Sequence, residues 1–155
     1  MSDQLSKCFV RTFRKPGIVE QDERYRYQYP IILKYLQSKI CGKSIVDGFN
    51  IAKPGATALY SITDLTGLIC DDLISLHSEN IINYVCDKNA KAHKRGYKGY
   101  TVINPEELVS KYNDGEIEYV VVCNVFREHE IINELVSLGM PLNRIIHLID
   151  IIFWL

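Results

Sequence analysis

The sequence predicts an α/β domain, a mostly parallel sheet with helices on both faces and a helical N-terminal arm before it. Three observations predict this. From residue 57 onward, short apolar runs of strand length alternate with segments whose apolar residues recur at intervals of three and four. The run IEYVVVCN, residues 117–124, is apolar on consecutive positions, as in a parallel strand covered on both faces. Strands separated by helices must be joined by crossovers, which lay them side by side in one direction.

Taken in order, residues 1–24 carry mixed charges, Pro16, Gly17 and no sustained apolar period, so they read as an irregular lead-in that docks at most through Phe9, Val10 and Phe13. Tyr25, Tyr27 and Tyr29 alternate, which suits a sheet edge or a contact surface. A helix is expected from Pro30, at home in a first turn, through Ile31, Ile32, Tyr35, Leu36 and Ile40 to a stop at Gly42. A short amphipathic stretch, KSIVDGFNIA, then leads to Pro54-Gly55, which divides an arm of residues 1–54 from a domain of residues 55–155.

The first strand is Thr57 to Tyr60. Leu65, Leu68, Ile69, Leu73 and Leu76 mark the helix after it. The run IINYVC gives a strand ending at Asp87, and TVI at 101–103 gives another. Asn104, Pro105 and Glu107 then spell a helix start with a reciprocal cap. The 117–124 run is expected in the middle of the sheet. A helix from about Glu128 to Leu138 stops at Gly139, and Ile145 to Leu148 forms the last strand. In the terminal segment Ile151–Leu155, Phe153 and Trp154 are expected to pack on the domain or on a partner subunit, because exposed large apolar groups mark contacts. This order is that of a Rossmann-like, doubly wound domain.

Composition narrows the class further. A chain of 155 residues has room for one domain and a full core. No apolar run approaches the roughly 20 residues of a membrane span. Eighteen Lys+Arg against nineteen Asp+Glu leave a net charge of -1, so no global field draws the protein to nucleic acid or an anionic membrane. The five cysteines are scattered and odd in number, which suits reduced thiols rather than a disulfide framework or a metal knuckle. With no apolar leader visible, the cytoplasm is the expected compartment.

Ligands of such sheets bind at the strands' carboxyl ends, and the first strand-to-helix turn is the usual phosphate cradle. Here that turn reads ALYSITDLTGL. Where a dinucleotide fingerprint has three glycines, this chain has Ser61, Thr63 and Thr66. Each adds a β-carbon where backbone must approach phosphate, and Asp64 adds negative charge at the helix start. Thr63 or Asp64 is a natural helix cap there. Asp87, about 20 residues after Thr66, stands where a ribose-binding acid would, and is equally ordinary turn chemistry with Lys88-Asn89.

Further candidates lie on the same side. Lys88, Lys91, Lys94, Arg95 and Lys98, interleaved with His93, Tyr97 and Tyr100, form either a phosphate-binding loop or a solvated one. Asn124 ends the long apolar strand. Arg127, Glu128, His129 and Glu130 open the next helix, but neighbouring helical positions point apart, so His129 with Glu128 or Glu130 is not self-evidently an acid–base pair. His147 reads as a core or edge histidine. No catalytic residue stands out.

The cadence of Gly42-Lys43-Ser44, a strand ending in Tyr60, a second strand ending in Asp87-Lys88-Asn89, and a final Leu148, Asp150 and Ile151 resembles a family of Rossmann-like modules over about residues 30–153. Those modules belong to bacterial capsule and exopolysaccharide loci, alone or fused to glycosyltransferases, and are described as NAD(P)-binding or nucleotide-sugar epimerase-like. This chain departs from their pattern at the glycines. The resemblance implies a noncatalytic accessory module that binds a nucleotide-sugar or a partner enzyme such as a glycosyltransferase. An NAD(P)-dependent nucleotide-sugar epimerase or oxidoreductase, with Ser61, Thr63, Asp64, Thr66, Asp87 and Asn124 at its cofactor, stays open, as does a purely structural interaction module, including a homo-oligomer.

Overall fold

The computed structural model describes residues 18–50 and 52–155. Helix α1 spans Ile18–Ile40 and α2 Ile45–Gly48; then follow β1 (Thr57–Tyr60), α3 (Asp64–Ser75), β2 (Ile82–Cys86), β3 (Thr101–Ile103), α4 (Pro105–Asn113), β4 (Tyr119–Val122), α5 (Glu128–Ser137), β5 (Ile145–His147) and α6 (Leu148–Trp154). All strand pairs are parallel, in the order β3-β2-β1-β4-β5. The Rossmann-like α/β fold expected from the alternation is therefore present. The central strand is β1, not β4 as expected. Consecutive apolar residues report covering on both faces, and both strands have that; only the pairing of β1 with β2 and β4 fixes which is in the middle.

Side chains alternate across the sheet into two cores. Leu59, Val85 and Val121 face α1, α2, α3 and α6 through Ile31, Tyr35, Ile45, Leu65, Ile69, Leu148 and Ile152. Ala58, Tyr60, Cys86, Val120 and Val122 face α4 and α5 through Leu108, Ile131, Ile132 and Leu135. The N-terminal helices thus share one core with the sheet. Tyr35 is buried and donates its hydroxyl to Asp72 of α3, which also takes the Lys39 ammonium. Gly48 lets α2 and α6 touch, since a β-carbon there would lie 2.3 Å from Cγ2 of Ile151.

Two expectations about the ends need correction. Residues from Ile18 are helical, and Pro30 sits inside α1 rather than at its start. Proline has no N–H to give the preceding turn and costs an interior position about 3 kcal/mol. Ile31 and Tyr35 anchor the helix beyond it, while Tyr25 meets Tyr29 at 5.5 Å and Tyr27 meets Phe126 at 6.1 Å on the near side. These tyrosines therefore lie on a helix and not at a sheet edge. The docking of Phe9, Val10 and Phe13, and the lead-in before Ile18, lie outside the described residues.

At the other end, Phe153 and Trp154 are 61% and 72% exposed and do not pack on the domain. Helical periodicity explains why they leave the domain, so that of the two expected contacts the one with a partner subunit is the one the exposure fits: in α6 it turns Leu148, Ile151 and Ile152 inward and carries the next two positions outward. Among the described residues, no helix is long and apolar enough to cross a membrane.

The helix starts follow the sequence. Asn104 accepts from the Glu107 N–H at 2.8 Å, and Glu107 returns the bond to the Asn104 N–H at 3.0 Å. One buried group lacks a partner among the described residues: the Thr57 hydroxyl, at the start of β1. A buried hydroxyl without a partner carries its desolvation cost with nothing to offset it. Thr57→Val should raise the stability read by urea denaturation by about 1 kcal/mol, and a loss of stability would show that the hydroxyl has a partner.

Candidate functional site

The chain steps from β1 outward to β2 and β3, then crosses back to place β4 on the other side of β1. At this reversal the connections leaving β1 and β4 diverge and open a crevice at the carboxyl ends. It holds two clefts that meet at Ile62 and Asn124. One, of about 230 Å³, lies beside α1 and is lined by Tyr25, Gln28, Thr63, Asp64, Asn124 and Phe126 among others. The other, of about 170 Å³, lies beside α5 and is bounded by Tyr60, Ser61, Asp87, Lys88, Arg127 and Glu130 among others.

The β1–α3 turn keeps the shape of a phosphate cradle while spending its donors internally. Ser61 has φ +82°, the left-handed conformation that glycine adopts without cost and that costs other residues about 1–2 kcal/mol. Bonds on both sides hold it there. Its N–H donates to the Cys86 carbonyl at 2.8 Å, and its carbonyl accepts from the buried Thr66 hydroxyl at 2.6 Å. The next N–H, of Ile62, donates to Oδ2 of Asp87 at 3.0 Å. Thr63 and Thr66 cap α3 reciprocally, each N–H donating to the other's hydroxyl at 3.2 Å.

Four turn N–H groups, those of Ser61, Ile62, Thr63 and Thr66, are thus satisfied by the protein itself. Two of the four acceptors, the Thr63 and Thr66 hydroxyls, come from residues that replace the glycines of the fingerprint, and Cys86 and Asp87 at the end of β2 supply the other two. Asp64 begins α3 exposed, so negative charge occupies the helix end that a phosphate would seek. Asp87 spends one oxygen on Ile62 and the other on its own turn, accepting the Asn89 N–H at 2.9 Å. Asp87 thus makes the turn expected of it with Asn89, extended by a clamp onto the first turn.

The cation-rich segment divides. Lys88 bounds the α5-side cleft and pairs with Glu134 at 3.0 Å. Lys98 is turned to Asp71 at 2.6 Å, and Tyr97 and Tyr100 bond each other's backbone at 2.9 Å. The Tyr97 hydroxyl lies 3.0 Å from where a Gly67 β-carbon would be, so both tyrosines anchor the loop to the domain. Lys91, Lys94 and Arg95 are exposed on the loop and line neither cleft.

Several contacts here were not marked by sequence, though some of their residues were. Arg127 bonds Glu130 through Nε at 2.9 Å and Nη2 at 2.6 Å, and donates its N–H to Oδ1 of Asn124 at 3.1 Å. Their three-residue spacing was the available signal. Glu128 pairs with Nδ1 of His147 at 2.7 Å, leaving His129 exposed and outside any acid–base pair with Glu128. Tyr25 and Gln28 reach the crevice from α1, which no local spacing announces.

Tyr60 is buried and donates its hydroxyl to Glu134 at 2.8 Å, the carboxylate that also holds Lys88. Burial first, and this hydrogen bond second, push its phenol far above the usual tyrosine range. Nearby thiols shift the same way: burial pushes Cys123 up to about 12, and Cys86 above the thiol range. No protein-family model matches the chain, and no curated protein matches it.

The shifted groups fix the sign of the alkaline response. Unfolded thiols release protons near 9.0 and phenols near 10.0, whereas the folded protein holds them to higher pH. Their contribution to stability is therefore full below pH 9 and is lost as pH rises toward 12. Urea midpoints should be higher at pH 8 than at pH 10.5; a midpoint that is unchanged or rises would contradict these burials.

Proposed function

We propose that the chain is a noncatalytic Rossmann-like module that binds a nucleotide-sugar at the carboxyl edge of its sheet. Its setting would be cytoplasmic surface-polysaccharide biosynthesis, beside a glycosyltransferase or another enzyme of that route. The observation that carries the proposal is the pair of adjoining clefts, one presenting two cations and the other presenting amides, an acid and aromatic rings. A molecule anionic at one end and hydroxylated at the other matches that division.

Lys88 and Arg127 are the phosphate donors in this reading. Both side chains are about half exposed, at 55% and 50%, and each is neutralised by a partly exposed glutamate. Exposed pairs of this kind contribute about 0–1 kcal/mol. The diphosphate bridge of a nucleotide-sugar, with its negative charge spread over non-bridging oxygens on both phosphorus atoms, can therefore replace the carboxylates at little cost. The β1–α3 turn is a poor rival for the phosphate, because four of its donors, those of Ser61, Ile62, Thr63 and Thr66, are occupied and Asp64 repels anions.

The noncatalytic character rests on Tyr60. Sugar oxidation or epimerisation through a nicotinamide needs a proton-transfer group poised near neutrality. Tyr60 is the cleft tyrosine beside a lysine, yet burial and Glu134 hold its phenol protonated. NAD(P) would further require pyrophosphate at the occupied turn.

Isothermal titration tests the proposal with a panel of UDP-, GDP-, dTDP- and CMP-sugars alongside NAD+, NADH, NADP+ and NADPH. At least one nucleotide-sugar should bind, none should turn over, and Lys88→Ala/Arg127→Ala should weaken binding about tenfold or more, from the loss of charge-assisted bonds. Preferential binding of a nicotinamide nucleotide would overturn it.

A further inference from the structure

Resting on the reading above, we infer that the α1-side cleft is the sugar subsite and that Asp64 is its specificity-determining residue, an acceptor for ring hydroxyls that keeps phosphate out.

Charge gives the first argument. Among the described residues lining this cleft, Asp64 alone carries a charge. Among the described lining residues, a phosphoryl group placed here would meet a carboxylate without a cation, whereas in the α5-side cleft it meets Lys88 and Arg127 alongside Asp87 and Glu130. The two ends of the crevice are therefore not interchangeable. A ligand carrying phosphate is oriented with that group toward α5.

Hydrogen-bonding capacity gives the second. An ionised carboxylate only accepts, so Asp64 needs donors from its ligand, and adjacent hydroxyls of a sugar ring supply two. Asn124 already accepts the Arg127 N–H through Oδ1, so its remaining polar group is the NH2, a donor at the junction of the clefts. Gln28 adds an amide from α1. The Thr63 hydroxyl is committed to the α3 cap and lends little. Acceptor, donor and amide together match hydroxyl groups, each of which both gives and takes a bond.

Size and walls give the third. At about 230 Å³ the cleft is below the roughly 300–1,000 Å³ of sites that enclose drug-sized ligands, and so fits a single ring better than a nucleoside. Tyr25 and Phe126 supply apolar wall for the less polar faces of such a ring.

The test compares each nucleotide-sugar that binds with its nucleoside diphosphate lacking the sugar, by titration calorimetry on the full chain. Wild type should hold the nucleotide-sugar about tenfold or more tightly than the diphosphate, as expected for a hydrogen bond to a charged group. Asp64→Asn keeps the Thr63 cap, and its folding is checked by thermal melting. It should erase most of that ratio without lowering diphosphate affinity, and Gln28→Ala should reduce the ratio in part. Lys88→Ala/Arg127→Ala should instead weaken both ligands together. A ratio unaltered in Asp64→Asn, or a preference of the cleft for an ammonium-bearing sugar alone, would overturn the sugar subsite and leave nucleotide-sugar binding standing. If neither nucleotide-sugars nor diphosphates bind, the functional reading itself falls.

Discussion

A backbone N–H that ends a buried strand has to find an acceptor, and at the end of β1 the chain meets that demand from within. Asp87 takes the Ile62 N–H, Cys86 takes that of Ser61, and the Thr63–Thr66 pair closes the start of α3. Buried backbone donors are almost always paired, so a turn that lacks protein acceptors is completed by water or ligand. Four of this turn's donors, those of Ser61, Ile62, Thr63 and Thr66, are met without either. The same bonds hold Ser61 in its left-handed conformation and fix where α3 leaves the sheet.

The consequence for function follows from position. The turn lies at the reversal of strand order, so it borders both clefts, and its internal closure leaves the surrounding side chains to receive any ligand. Charge has moved with that closure. Asp64 stands where phosphate would meet a helix start, and the cations stand across the crevice on Lys88 and Arg127. The N-terminal half of α1 completes the arrangement by bringing Tyr25 and Gln28 over the edge of the sheet, past a proline that weakens the helix beneath them.

Much of the fold was legible in the sequence because it is written in local signals. The four-residue spacing of Leu65, Ile69 and Leu73, the Asn104–Glu107 cap and the Gly139 stop each declare an element without reference to the rest of the chain. The errors arose where distant contacts decide. The centrality of β1 depends on strand pairing, the extension of α1 through Pro30 on contacts such as Tyr27 with Phe126, and the exposure of Phe153 and Trp154 on α6 being helical. The candidate site behaves in the same way. Ser61, Thr63, Asp64, Thr66, Asp87, Lys88 and Asn124 could be marked because strand ends converge at one edge in this fold. The Lys88–Glu134–Tyr60 cluster and the His147–Glu128 pair join residues far apart in sequence, so no spacing reveals them.

The central claim is that the β1–α3 turn is closed by its own side chains and that phosphate binds opposite it. Nuclear magnetic resonance during titration with a nucleotide-sugar measures this directly, following the backbone amides of Ile62, Thr63 and Thr66 together with the Nε–H of Arg127. A large, saturable shift of the Arg127 signal is expected while the Ile62 amide keeps its bond to Asp87 and its protection from exchange. Loss of that bond with a phosphate-dependent shift of the three turn amides, and a silent Arg127, would contradict it.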